Sequence, residues 1–296
     1  MQPQSIFLTG STGKIGRFLL KELLAKDYKI TVLQREAVAP SLDPKIKFIS
    51  GSLLDSKSYA SSLDATDTVL HMAAITHTNK ISDYYDINAY ATLELLKLCK
   101  SKGVKRFIFI STRAISGEGG HYSKSKLMAE DYVRESGIDW VIMRLGEVYG
   151  FSGKTGVDMI LNNIQKFPFI PIIGSGEYKM APVHITDVVS SMITVIENNT
   201  IRNKIYNIAG PETFTYRQFV EKVLELKHLK KPMVYIPLPV FRLFAAISSV
   251  FLKNSSLTKD QIPRLLCEKS NDISLAASEL SFRPQRLEEA ISRQQK

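Results

Sequence analysis

The stretch Phe7-Leu8-Thr9-Gly10-Ser11-Thr12-Gly13-Lys14-Ile15-Gly16 decides the fold of this chain. A β-type run, Ile6–Thr9, feeds into glycines spaced Gly10-x-x-Gly13-x-x-Gly16, and a helix-period pattern over Ile15–Lys26 follows. At such a turn Gly10 permits the tight bend, Gly13 lets backbone approach an anion, and Gly16 lets helix pack against strand. Free N–H groups and the helix dipole then face a phosphate. Ser11, Thr12, Lys14 and Ile15 complete the loop as candidate cofactor contacts. A Walker A loop is excluded, because Leu8 stands where glycine is needed and Ile15 follows Lys14 in place of Ser or Thr.

Downstream, β-rich runs at Lys29–Leu33, Lys47–Ile49, Thr68–His71, Phe107–Ser111 and Trp140–Arg144 alternate with helical patterns such as Asn88–Lys102 and Ser123–Ser136. Strands separated by helices of this length make βαβ units, hence a parallel sheet covered on both faces. Right-handed crossovers wind it into an α/β, doubly wound, Rossmann-type sheet of about seven strands. After Gly150 the pattern breaks into Gly/Pro-rich loops at 151–154 and 168–174. Two strand-like pieces, Ala181–Ile185 and Ile205–Ile208, flank a helical run at 187–197, and the remainder reads as mostly helical. The expected division is a dinucleotide-binding domain, 1–150 plus 183–210, and a smaller mixed, mainly helical substrate lobe, 151–182 plus 211–296.

The second strand ends Leu33-Gln34-Arg35. An acidic residue here would accept from the ribose 2′-hydroxyl of NAD, whereas Arg35 suits the 2′-phosphate of NADP, with Lys14 to assist. NADP is therefore the preferred cofactor. Glu36 keeps NAD open, since a shift of one residue reverses the choice. Tyr122-Ser123-Lys124-Ser125-Lys126 opens a helix, so Tyr122 and Lys126 share one face at i and i+4. A cation near a phenol stabilises phenolate; moving its pKa from about 10 towards neutrality takes roughly 4 kcal/mol. Tyr122 could then act as a general acid/base at a hydroxyl or carbonyl. Ser111-Thr112, at a strand's carboxyl end, could hydrogen-bond the same substrate oxygen.

Together these segments resemble the short-chain dehydrogenase/reductase superfamily, in its extended or closely related atypical branch, the NAD-dependent epimerase/dehydratase family. Further matches are Gly51-Ser52-Leu53-Leu54-Asp55, Val69-Leu70-His71-Met72-Ala73-Ala74, Asn88 opening a long helix, Arg144–Gly150, Pro182–Val188, Tyr206–Glu212 and the tail Asp272–Pro284. The resemblance implies that Tyr122 is the acid/base, Lys126 its electrostatic partner and a ribose ligand, and Thr112 the substrate-oxygen donor with Ser111 as runner-up. It implies that Leu53, Met72, Ala73, Ala74 and Asn88 sit at the cofactor, and that a hydride passes between the substrate carbon and a nicotinamide.

Departures narrow the activity. Arg113-Ala114 follow Thr112 where the family's dehydratases carry an Asp-Glu pair, which disfavours 4,6-dehydration. The segment from Thr112 to Tyr122 is short, implying a differently shaped substrate mouth. Glu147 stands where extended members often carry an Asn near the substrate diphosphate, which a carboxylate would repel. Met180-Ala181-Pro182 replaces a common Arg-Asp-Phe triplet, leaving Lys179 as the adjacent cation. His121, beside Tyr122, either lines the substrate pocket or is simply exposed. The expected function is an NAD(P)-dependent epimerase or keto-reductase acting on a nucleotide sugar. The alternatives are an NADPH-dependent reductase of a non-sugar carbonyl compound and a non-catalytic cofactor-binding sensor or assembly protein.

Composition sets outer bounds. The chain has 296 residues, 39 Lys+Arg against 29 Asp+Glu, 44% hydrophobic and 23% charged residues, which excludes a disordered protein. Residues 201–296 hold 16 of the basic and 9 of the acidic groups, which suits a phosphorylated or nucleotide-linked small molecule without demanding one. No basic stripe with interleaved aromatics suggests nucleic acid. Cys99 and Cys267 cannot build a disulfide framework, and five scattered histidines show no metal-ligand spacing. The start of the chain shows no secretory leader, so a cytoplasmic location is expected. No apolar run is long enough to span a bilayer. The run 240–252 is expected to be a lobe helix packing its aromatics inward, with an interfacial membrane helix as its rival. A homodimer is compatible with all of this.

Overall fold

In the computed structural model, which describes residues 4–35, 45–151, 156–242 and 260–294, the opening run forms β1 (Ser5–Thr9) with Ile6 to Thr9 all buried. A strand covered on both faces has no solvent side, so its sequence is continuously apolar rather than alternating. The other strands of the main sheet are β2 (Lys29–Gln34), β3 (Ile46–Ser50), β4 (Thr68–His71), β5 (Arg106–Thr112), β6 (Asp139–Leu145) and Lys204–Ile208. Their order is Lys204–Ile208, β6, β5, β4, β1, β2, β3. β1 pairs in parallel with both β2 and β4, Phe7 lying opposite Thr31 and Val69. The seven-stranded, doubly wound sheet is as expected. Strand order reverses at β1, so the carboxyl ends of β1 and β4 flank the switch point where ligands of such sheets bind.

The chain divides into two compact units. The first comprises 1–112, 124–144 and 189–206. Its core packs Phe7, Tyr59, Leu95, Phe107, Phe109 and Val133. Helix α1 (Lys14–Leu24) leaves the glycine loop and buries Gly16, Leu19 and Leu23. The second comprises 113–123, 145–188 and 207–296. It has its own core of Tyr149, Ile172, Phe219, Val223 and Ile291. Three small strand pairs belong to it: Val148–Tyr149 with Val183–His184, Lys179–Met180 with Phe214–Thr215, and Ile170–Ile173 with Met233–Ile236.

Two local expectations change. Of Ala181–Ile185 only Val183–His184 is a strand, and it lies outside the main sheet. Helix Ile185–Glu197 starts early because His184 Nδ1 accepts the Thr186 amide at 3.3 Å, satisfying a first-turn donor. The helical stretch around Asn88 starts earlier, as α2 (Ile81–Tyr85), passes through a π-helical turn at Asp86–Tyr90 and continues as α3 (Ala91–Ser101). Among the described residues no helix is long and apolar enough to cross a membrane. Glu36, the loop residues 152–154 and residues 243–252 of the apolar run lie outside the described residues.

Candidate active site

A pocket of about 400 Å³ opens at the switch point. It brings together Gly10, Thr12 and Gly13 of the loop, Gln34 and Arg35 at the end of β2, Leu53 beyond β3, and Met72, Ala73 and Ala74 beyond β4. Gly10 has φ +80°, and a Cβ there would stand 2.6 Å from the Ala73 nitrogen, so this approach requires glycine. Ser11 and Gly16 are buried behind the loop, while Lys14 is exposed and Ile15 half-buried at the start of α1; none of the four lines the pocket.

Gln34 was overlooked in the sequence, although its place as last residue of a central strand was a usable signal. It is buried in the pocket wall, and its Nε2 has no hydrogen-bond partner among the described residues. A buried donor without an acceptor is costly, and a bound oxygen would relieve it. With the exposed guanidinium of Arg35 beside it, the donor set suits the ribose and phosphate oxygens of a dinucleotide.

A polar chain runs beneath this pocket. The Ala73 amide donates to Thr9 Oγ1 at 3.2 Å, Thr9 Oγ1 meets His71 Nδ1 at 2.6 Å, and His71 Nε2 meets Thr92 Oγ1 at 2.9 Å. Thr92 itself donates to the Asn88 carbonyl at 2.8 Å, so it accepts from Nε2–H, and Nδ1 accepts from Thr9. The imidazole is therefore neutral. Burial, reinforced by the Lys126 cation, pulls its pKa down to about 3. The unfolded imidazole keeps a pKa near 6.5, so stability is lost as pH falls from about 6.5 towards 3, at about 1.4 kcal/mol per pH unit. Urea titrations from roughly pH 7 downward should show a loss that steepens to this slope below about pH 5.5, and His71→Asn should flatten it. An equal slope in that variant would sink the assignment. Asn88 clamps the segment after β4, accepting the Ile75 amide at 2.8 Å and donating to the Ile75 carbonyl at 3.0 Å and Ser125 Oγ at 3.1 Å.

Tyr122 and Lys126 stand one turn apart on α4 (Gly120–Glu135). The amides of His121 and Tyr122 both donate to the Asp260 carboxylate, which caps the helix. Gly120, at φ +83°, leaves room for that carboxylate, since a Cβ would lie 2.5 Å from Asp260 Oδ1. Tyr122 is buried, with the Arg264 guanidinium 4.8 Å from its ring centroid. Lys126 is 2% exposed; its Nζ donates to the Ile110 carbonyl at 2.8 Å and lies 3.7 Å from the Phe109 ring centroid. Burial pulls its pKa down to about 7, against the opposing pull of Glu130.

Glu130 is fully buried and organises the strand ends. It accepts from Ser111 Oγ at 2.6 Å and from Arg144 Nη2 at 2.6 Å and Nε at 3.0 Å. The Ser111 hydroxyl is thus engaged with a carboxylate, and Thr112 ends β5 half-buried. In the second unit, Glu147 accepts from Arg113 Nη2 at 2.7 Å, Lys269 Nζ at 3.2 Å and the Ala181 amide at 3.1 Å. Burial pushes this carboxyl up, but Lys269 and Arg113 outweigh it and hold it below its ordinary value. Arg113 also donates to the Ser270 carbonyl and to Asn271 Oδ1. The carboxylate that would repel a diphosphate is therefore matched by two cations. Lys179 is exposed, and His121 is half-buried at the start of α4. Reasoning from sequence did not foresee Glu130, Lys269, Asp260 or Arg264, whose partners lie far away in the chain.

The model of the NAD dependent epimerase/dehydratase family matches residues 6–209. UDP-glucose 4-epimerase of Vibrio cholerae is 28% identical over 309 residues, covering 95% of this chain and 91% of that protein. NADH dehydrogenase (ubiquinone) 1 alpha subcomplex subunit 9, mitochondrial, of Dictyostelium discoideum is 26% identical over 268 residues, covering 86% of this chain and 73% of that protein. UDP-glucuronic acid 4-epimerase from Bacillus cereus, solved with UDP-glucuronic acid and NAD, shares the fold with a TM-score of 0.76 at 21% identity, over 98% of this chain and 97% of that one. The chain belongs to the NAD dependent epimerase/dehydratase family, whose members are enzymes of the short-chain dehydrogenase/reductase type.

Proposed function

We propose that the chain is an NADP-preferring epimerase or keto-reductase acting at a hydroxyl or carbonyl carbon of a nucleotide sugar. The observation that carries this reading is the pocket in which the glycine loop, the unpartnered Gln34 amide and the Arg35 cation meet. The loop amides and Arg35 would hold the cofactor's phosphates, and Gln34 and Lys126 its ribose oxygens. When bound, the cofactor supplies a hydride donor or acceptor. Tyr122 moves the proton at the substrate oxygen, Thr112 donates a hydrogen bond to that oxygen, and Lys126 supports the phenolate. The nucleotide-sugar assignment is supported by the likeness to the epimerases named above. His121, Glu147 and Lys179 belong to the substrate side of the same reading, within a lobe built from 151–182 and 211–296. A cytoplasmic enzyme, as a homodimer, is part of it.

NADPH is expected to bind about 10- to 100-fold more tightly than NADH, the range of one charge-assisted contact to the 2′-phosphate, and Arg35→Ala should erase the difference. Dissociation constants from fluorescence titration measure this, and tighter binding of NADH refutes the preference. Native mass spectrometry for retained cofactor, followed by a nucleotide-sugar panel, decides the reaction. Retained cofactor with isomerised sugar means epimerase, and consumption of added NADPH means reductase. A second reading, reduction of a non-sugar carbonyl, draws on Met180 in place of a pyrophosphate-binding Arg and on the short segment from Thr112 to Tyr122, and NADPH consumption with carbonyl compounds alone would select it.

A further inference from the structure

The second unit carries an apolar surface that its core does not use. In the ribbon of Ile170–Ile173 and Met233–Ile236, Met233 pairs with Ile170, Val234 with Pro171 and Ile236 with Ile173. Side chains alternate across a strand, so Ile170 and Ile172 enter the core while Pro171 and Val234 face outward. Phe169 continues the outer row and is 44% exposed; Val234 is 43% exposed. Phe167, at one end, is 53% exposed, and the Lys231 ammonium donates to its carbonyl and to that of Gln165, fixing the loop that carries it. At the other end Leu238 packs over Gly174, and Val240 is exposed. Contiguous outward aromatics and branched aliphatics of this kind mark a surface that meets something apolar.

The charges around it identify what that is. The sequences 163–176 and 226–242, which form the ribbon and its flanks, contain Lys166, Lys227, Lys230, Lys231 and Arg242 and no Asp or Glu. The acidic residues adjoining these segments, Glu177 and Glu225, are exposed and pair at the surface with Arg217 and Lys222. An apolar strip whose own segments carry cations and no carboxylate matches a layer that is apolar within and anionic at its rim. We propose that this ribbon docks the protein on an anionic lipid bilayer, with Phe167, Phe169 and Val234 entering the headgroup boundary and Lys166, Lys227 and Lys230 pairing with lipid phosphates. Lysine side chains suit this, lying along apolar surface while the ammonium reaches outward. This inference is independent of the reaction catalysed.

The test is co-sedimentation of the full chain with vesicles of phosphatidylcholine alone and of phosphatidylcholine with phosphatidylglycerol. Binding is expected to the anionic vesicles only, and it should weaken as salt rises. The double variant Phe169→Glu/Val234→Glu should lose binding while its thermal unfolding and cofactor affinity stay unchanged. If that variant misfolds, Lys166→Gln and Lys230→Gln supply the measurement, each lowering the partition constant about fivefold. Equal binding to neutral vesicles, no binding to anionic ones, or full binding by the lysine variants would overturn the proposal. A dimer in solution that Phe169→Glu dissolves, without vesicle binding, would also overturn it by assigning the face to a second copy.

Discussion

Tyr122→Phe is expected to lower kcat by roughly 10²- to 10⁴-fold, the contribution of a positioned general acid/base. The substitution removes one oxygen and keeps the ring, so packing beneath the Arg264 guanidinium is preserved. None of the residues lining the pocket at the switch point lies on α4. Affinity for NADPH should therefore change little, and the thermal transition should stay near that of the wild type. Single-turnover kinetics beside a binding titration separate the two effects. Turnover near the wild-type rate would remove Tyr122 from the chemistry. A parallel loss of cofactor affinity would show instead that the tyrosine holds the ligand.

The second large effect is on stability. Glu130→Ala should destabilise the protein by about 3–5 kcal/mol, because it strands the Arg144 guanidinium and the Ser111 hydroxyl without their shared acceptor. Against a total stability of about 5–15 kcal/mol, this is enough to populate unfolded chains. Replacing both charges, Glu130→Met with Arg144→Met, should cost less than Glu130→Ala alone, since the Arg144 charge leaves with its carboxylate and the exposed Arg134 keeps Asp131. Denaturant titration of the single and double variants measures the coupling. Strictly additive losses would show that carboxylate and guanidinium act independently.

Much of the first unit was legible from local chemistry. Continuous apolar runs marked β1, β4 and β5 because both faces of a parallel sheet are buried, and the glycine spacing marked the turn before α1 because close backbone approach excludes other residues. Arg35 was legible as the cation ending the second strand and Met72–Ala74 were implied by the family resemblance; all of them line the pocket. Glu130 was not, since nothing local distinguishes it from an exposed helical glutamate; its burial follows from Ser111 and Arg144 arriving on two other strands. Glu147 shows the same limit. Its sequence context suggests repulsion of an anion, and Arg113 and Lys269, both distant along the chain, reverse the local field. The early end of the strand at His184 and the π-turn around Asn88 likewise depend on side-chain hydrogen bonds that no periodicity reports.

The cap on α4 has a consequence in time. Strands β1 to β6 all precede residue 146, so a nascent chain holds nearly the whole parallel sheet and the glycine loop well before Asp260 is made. At synthesis rates of about 5–20 residues per second, that interval is on the order of ten seconds. Throughout it, the amides of His121 and Tyr122 lack the carboxylate that ends their helix in the finished protein. The order of translation thus separates readiness to hold a dinucleotide from completion of the turn bearing Tyr122.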